Sequence, residues 1–149
     1  MEKLIIVRHG DDIGHKLSKD GALQILNLAK KLKSEVNHSS AIILTSPVNR
    51  VHQSAEIIAE ELDAEVEKQE ILRSSNEDDT QLDETLDLVN KQKSDVVILV
   101  THWEYTQEFP MFFGSKALSV QFGFQNVKKG GTVIIDCKQK TLELIPPQA

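Results

Sequence analysis

Val96-Val97-Ile98-Leu99-Val100-Thr101-His102 holds five consecutive apolar residues, four of them β-branched, before the chain turns polar. A half-buried strand alternates apolar and polar residues, so an unbroken run of this kind predicts a strand covered on both faces, as in a parallel sheet. Its polar end, Thr101-His102, would lie at the carboxyl end of that strand. In an open α/β sheet this is the edge where ligands bind.

Two more runs of the same character lie upstream. Leu4-Ile5-Ile6-Val7 is followed by Ala22, Ile25, Leu26, Ala29, Leu32 and Val36 at helical spacing; Ala41-Ile42-Ile43-Leu44 is followed by Val51, Ala55, Ile58, Ala59 and Leu62. Ser46-Pro47 has the residue types of an N-cap and a first helical position, which predicts that the second helix opens there. Glu65 to Leu72 alternates in part and predicts a third strand, and Leu82 to Val89 predicts a third helix. Thr132 to Asp136 and Thr141 to Ile145 flank a short polar turn and predict a terminal hairpin, with Gly130-Gly131 turning into it. Strands alternating with helices predict a three-layer α/β/α sandwich with a mostly parallel central sheet and an antiparallel strand near the C-terminus.

Size and composition narrow the classes of protein. The chain has 149 residues, 40% of them hydrophobic and 27% charged, which suits one folded domain spanning residues 1–149. Seventeen basic against 23 acidic side chains leave a net charge of −6, a surface that repels nucleic acid and anionic lipid. Arg8 interrupts the first apolar run too early for a signal-peptide core or a membrane span. The single cysteine, Cys137, has no internal disulfide partner and is expected as a buried thiol on a strand; a cytoplasmic location follows.

The three strand ends carry related chemistry: Arg8-His9-Gly10, then Thr45-Ser46 with Arg50 one helical turn on, then Thr101-His102. On a parallel sheet they converge. Two guanidiniums in one crevice call for an anion with several oxygens, with phosphate the natural choice, and N–H groups at the start of the second helix would add to the same edge. A neutral imidazole can attack phosphorus and become a covalent phosphohistidine, while the arginines and a protonated second histidine stabilise the equatorial oxygens.

Four motifs in this order resemble the histidine phosphatase, or phosphoglycerate-mutase-like, superfamily. They are the strand running into Arg8-His9-Gly10; Leu17-Ser18-Lys19-Asp20-Gly21-Ala22-Leu23-Gln24; Ser46-Pro47-Val48-Asn49-Arg50-Val51-His52-Gln53-Ser54-Ala55; and the strand ending in Thr101-His102. The resemblance implies His9 as nucleophile, His102 as second catalytic histidine, and Arg8 and Arg50 as phosphate ligands, with Gly10, Ser46 and Trp103 beside the substrate and no cofactor or metal. In build the chain resembles compact members such as the phosphohistidine phosphatases, since it lacks the long insertion of the mutases.

It departs from the pattern at two places. Trp103 stands where the family usually has glycine, so an indole must narrow the pocket or redirect its mouth. The general acid that many members carry after the third strand has no clear counterpart, with Glu77 a candidate and Asp78 an alternative. An absent acid favours a phosphohistidine on a protein, because imidazole leaves more easily than an alkoxide. A small phosphomonoester is the runner-up substrate, and a non-catalytic phosphate-binding regulatory module is the rival from another class.

Blander readings stand beside these. His9, Asp11, Asp12 and His15 are close enough in sequence to suggest a metal site, although the neighbouring arginines oppose a cation. His15 could rim the pocket, whereas His38 and His52 read as solvent-facing. The acidic stretch from Glu77 to Asp87 suits a solvated loop and helix start. All seven aromatic residues lie between Trp103 and Phe124, and most are expected in the core.

Overall fold

A computed structural model describes residues 1–74 and 80–148. In chain order its elements are β1 (Lys3–Arg8), β2 (Asp12–Ile13), β3 (Lys16–Leu17), α1 (Lys19–Val36), β4 (Ala41–Thr45), α2 (Asn49–Leu62), β5 (Glu65–Lys68), α3 (Leu82–Asn90), β6 (Val96–Thr101), α4 (Trp103–Phe113), β7 (Thr132–Asp136) and β8 (Thr141–Ile145). Six strands make one sheet in the order β5-β4-β6-β1-β7-β8. The first four run parallel, and β7 and β8 close the far side antiparallel.

Strand alternation divides the core into two layers. Ile5, Val7, Ile43, Ile98 and Val100 face α1 and α2, meeting Ile25, Leu28, Ala29, Leu32, Ala55 and Ile58. Their neighbours Leu4, Ile6, Leu44, Val97 and Leu99 face the other way, onto Val89 of α3 and Tyr105, Phe109 and Phe113 of α4. Every residue of β6 is buried, as its unbroken apolar run requires. Burying each large aliphatic or aromatic side chain contributes about 1.5–3 kcal/mol, so this central strand anchors both layers.

The parallel register decides where the chemistry goes. Arg8 is paired across from Thr101, and Thr45 across from Val100, so the polar ends of β1, β4 and β6 finish level at one edge.

Several local expectations shift. α1 begins at Lys19, three residues before its first apolar repeat, because Ser18 caps it: the Ser18 hydroxyl oxygen accepts the Gly21 N–H at 2.9 Å. The third strand stops at Lys68, because its partner β4 ends at Thr45 and offers nothing further to pair with; a 3-10 turn, Glu70–Leu72, takes over. Helix α2 opens at Asn49 with Val48 as its cap, so Ser46-Pro47 is not the helix start. Cys137 lies half-buried in the turn between β7 and β8 rather than on a strand. Gly130 takes a positive φ of 82° as the chain turns toward β7, a conformation that glycine adopts at least cost. Among the described residues no helix is long and apolar enough to cross a membrane.

Candidate active site

The loop leaving β1 is held from several sides. A Cβ on Gly21 would lie 2.0 Å from the Asp11 carbonyl oxygen, and one on Gly10 would lie 2.7 Å from the Gly21 carbonyl oxygen, so both positions exclude a side chain. Asp11 is gripped by α1: Gln24 accepts its N–H at 3.2 Å and donates to its carboxylate at 2.9 Å, while its carbonyl takes the Ser18 N–H and hydroxyl. From α2, Gln53 accepts the Leu17 N–H at 2.8 Å, and Ser54 accepts the Gly10 N–H at 3.2 Å while donating to the Arg50 carbonyl at 2.8 Å. The second and third motifs therefore act largely as clamps on the backbone around His9.

His9 is buried, with Nδ1 2.9 Å from the Gly10 carbonyl oxygen. A carbonyl can only accept, so Nδ1 carries the proton and Nε2 of the neutral ring keeps its lone pair. That Nε2 accepts a long hydrogen bond from Arg50 Nε at 3.4 Å. Burial lowers the His9 pKa, and Arg50 and Arg8 push it the same way.

His102 is buried at the N-terminus of α4, its ring 6.0 Å from that of His9 and nearly perpendicular to it. Burial, then His9, then Arg50 lower its pKa from 6.5 to about 4. The expected protonated second histidine is thus neutral in the ligand-free site. Its Nε2 meets the Ser46 hydroxyl at 2.9 Å, and that hydroxyl oxygen also accepts the Val48 N–H at 3.3 Å.

Arg8 spans the loop before β7: Nη1 donates to the Val127 carbonyl at 3.1 Å, while Nε is buried without a partner. An unpaired buried donor on a charged group costs more than the roughly 1–3 kcal/mol of a neutral one. Arg8, His9, Arg50 and His102 line one cleft of about 150 Å³ together with Ser74, Trp103 and Glu104. Trp103 is 42% exposed at its mouth, with Nε1 donating to Asn126 Oδ1 at 3.3 Å.

The structure thus brings together Arg8, His9, Arg50, His102 and Trp103 as expected. Two other residues expected beside the substrate, Ser46 and Gly10, are not among those lining the cleft. Ser46 is fully buried behind His102 and holds that ring, and Gly10 spends its N–H on Ser54 and its carbonyl on His9. Glu77 lies outside the described residues. His9, Asp11, Asp12 and His15 do not gather as ligands: among the described residues no three His, Cys, Asp or Glu side chains are grouped to hold a metal. His15 is exposed at the tip of the β2–β3 hairpin, and Asp12 instead pairs with Lys129 at 2.8 Å. Tyr105, Phe109 and Phe113 are core, while Trp103 and Phe124 are exposed.

Four contributors were not read from sequence. Ser54 and Gln53 sat unassigned inside the third motif, although their spacing from Arg50 puts them on adjoining helical positions. Glu104 follows Trp103 and could have been found by noting that a helix starting directly after β6 keeps its first turn at the sheet edge. Ser74 gave no signal.

Two imidazoles and two guanidiniums meet at the carboxyl edge of a mostly parallel sheet, in an α/β fold similar to that of a phosphoglycerate mutase. The sequence model of the histidine phosphatase superfamily (branch 1) matches residues 4–110, and the chain belongs to that family. Among solved structures, YhfR of Bacillus stearothermophilus superposes with a TM-score of 0.70 at 16% identity, covering 95% of this chain and 94% of its own. A protein assigned as the phosphohistidine phosphatase SixA of Agrobacterium tumefaciens gives 0.65 at 16%, covering 99% and 97%. A mycobacterial glucosyl-3-phosphoglycerate phosphatase gives 0.63 at 13%, covering 97% of each chain. At these identities the likeness is one of fold. No curated protein matches the sequence.

Proposed function

We propose that this protein is a phosphatase that works through a phospho-His9 intermediate. The observation that carries this reading is the tautomer of His9: Nδ1–H is committed to the Gly10 carbonyl, leaving the Nε2 lone pair in the cleft between two arginines. An unprotonated nitrogen beside two cations is a nucleophile waiting for an anion. When phosphate enters, Arg50 Nε exchanges its long bond to His9 for a phosphoryl oxygen, and the Arg8 guanidinium adds its charge from the same cleft. The dianion also favours the charged form of His102, which then joins the arginines around the equatorial oxygens. Water completes the second step. The chemistry calls on no metal, since guanidiniums supply the positive charge.

A phosphohistidine on a protein is the proposed substrate. Trp103 lines the cleft and is 42% exposed, so its indole is available to a planar imidazole. The likeness in fold to the Agrobacterium protein supports this choice, while the likeness to the mycobacterial sugar-phosphate phosphatase keeps a small phosphoester as the comparison.

The test measures phosphate release from a phosphohistidine protein and from an aryl phosphate, with chelator present, for the wild type and His9→Ala. Release that survives chelation and vanishes in His9→Ala is expected, with the phosphohistidine protein the faster substrate. Phosphate binding without release or any covalent phosphohistidine would instead identify a binding module.

A further inference from the structure

Catalysis through His9 needs a proton carrier, and the cleft leaves few groups for that work. Of its titratable linings among the described residues, Arg8 and Arg50 remain charged, His9 is the nucleophile, and His102 has its Nε2 engaged by Ser46. The nearby carboxylates Asp11 and Asp12 are occupied by Gln24 and Lys129. Glu104 is different. It lines the same cleft from the first turn of α4, one residue beyond Trp103.

We propose that Glu104 is the general acid and base of this site. The inference rests on the phospho-His9 reading. In the first step the Nε2 lone pair of His9 forms a bond to phosphorus. The bond from phosphorus to the leaving oxygen or nitrogen breaks, its electron pair stays on the leaving atom, and that atom takes the proton of the Glu104 carboxyl. In the second step a water oxygen bonds to phosphorus and gives its proton to the Glu104 carboxylate, while the P–Nε2 bond breaks and returns its electrons to His9. Net, one water is consumed, the leaving group departs protonated, phosphate is released, and Glu104 ends protonated as it began. The bland account of Glu104 is an acidic residue placed in the first turn of α4 to suit the helix dipole. That account predicts no dependence on the leaving group.

The leaving group therefore decides the matter. 4-Nitrophenolate leaves phosphorus without help, whereas phenolate needs a proton as it leaves. Rapid-mixing assays would compare wild type, Glu104→Gln, Glu104→Asp and His9→Ala on both esters. For Glu104→Gln, the expected burst of 4-nitrophenol stays within about threefold of wild type, while turnover of phenyl phosphate falls about 100-fold or more. Acid-labile phosphohistidine then accumulates, because the water is no longer deprotonated. Glu104→Asp recovers part of the loss and repeats the test if the amide folds poorly. Equal losses of burst rate on both esters, or wild-type turnover of phenyl phosphate, would overturn the role of Glu104 while His9→Ala stays inactive. If the wild type forms no phosphohistidine from either ester, the phospho-His9 reading itself falls.

Discussion

His102→Asn should flatten the acid side of the stability profile. In the folded, ligand-free protein the imidazole is held near pKa 4 by burial and by the neighbouring His9 and Arg50, against 6.5 when the chain is unfolded. Between those values the unfolded chain binds the proton and the folded one does not, so stability is complete above about pH 6.5 and declines as pH falls toward 4. At 1.36 kcal/mol per pKa unit the full loss is on the order of 3 kcal/mol, with about 2 kcal/mol of it gone by pH 5. Urea unfolding at pH 7.5, 6 and 5 reads this directly. For a urea dependence of about 2 kcal/mol per molar, the wild-type midpoint should drop by about 1 M more than that of His102→Asn. The readout is the slope with pH, so a uniform loss from the missing Ser46 contact does not disturb it. Inorganic phosphate should restore wild-type stability at pH 5, since it favours the charged ring. Parallel profiles for the two proteins would refute the claim that the pocket holds His102 neutral.

Two further outcomes follow from the same contacts. Arg50→Ala should lower kcat/KM by about 2–4 kcal/mol of transition-state stabilisation in steady-state phosphatase assays, and a change below about threefold would remove Arg50 from the phosphoryl group. Gly21→Ala sets two effects against each other: alanine favours a helix interior by about 1 kcal/mol, but its Cβ would meet Asp11 backbone atoms at 2.0 and 2.8 Å. Those atoms belong to a clamped loop that cannot move aside cheaply, so a net loss of about 1–3 kcal/mol is expected in thermal or urea unfolding, and a gain would show that the loop yields.

The link between Ser46 and His102 shows how one residue can suit a sequence pattern and serve another end. Serine before proline is a good helix opening, yet the chain delays α2 to Asn49 and spends the hydroxyl on an imidazole 56 positions away. Local propensity is worth about 1 kcal/mol at a cap, less than leaving a buried polar ring nitrogen without a partner. Glu104 was passed over for a related reason. It sits beside a conspicuous indole, and its place in the cleft depends on how α4 leaves the sheet.

Sequence alone determined the alternation of strands and helices, the buried middle of the sheet and the four residues that meet at its edge. These follow from local periodicity and from the rule that parallel strands end together. The register that levels Arg8 with Thr101, the tautomer of His9, the neutral state of His102 and the clamps on the His9 loop were decided by tertiary structure. The register, the neutral His102 and the clamps depend on burial and on partners far away in the chain, and the tautomer of His9 depends on how the folded loop turns the neighbouring Gly10 carbonyl, so no local pattern records them.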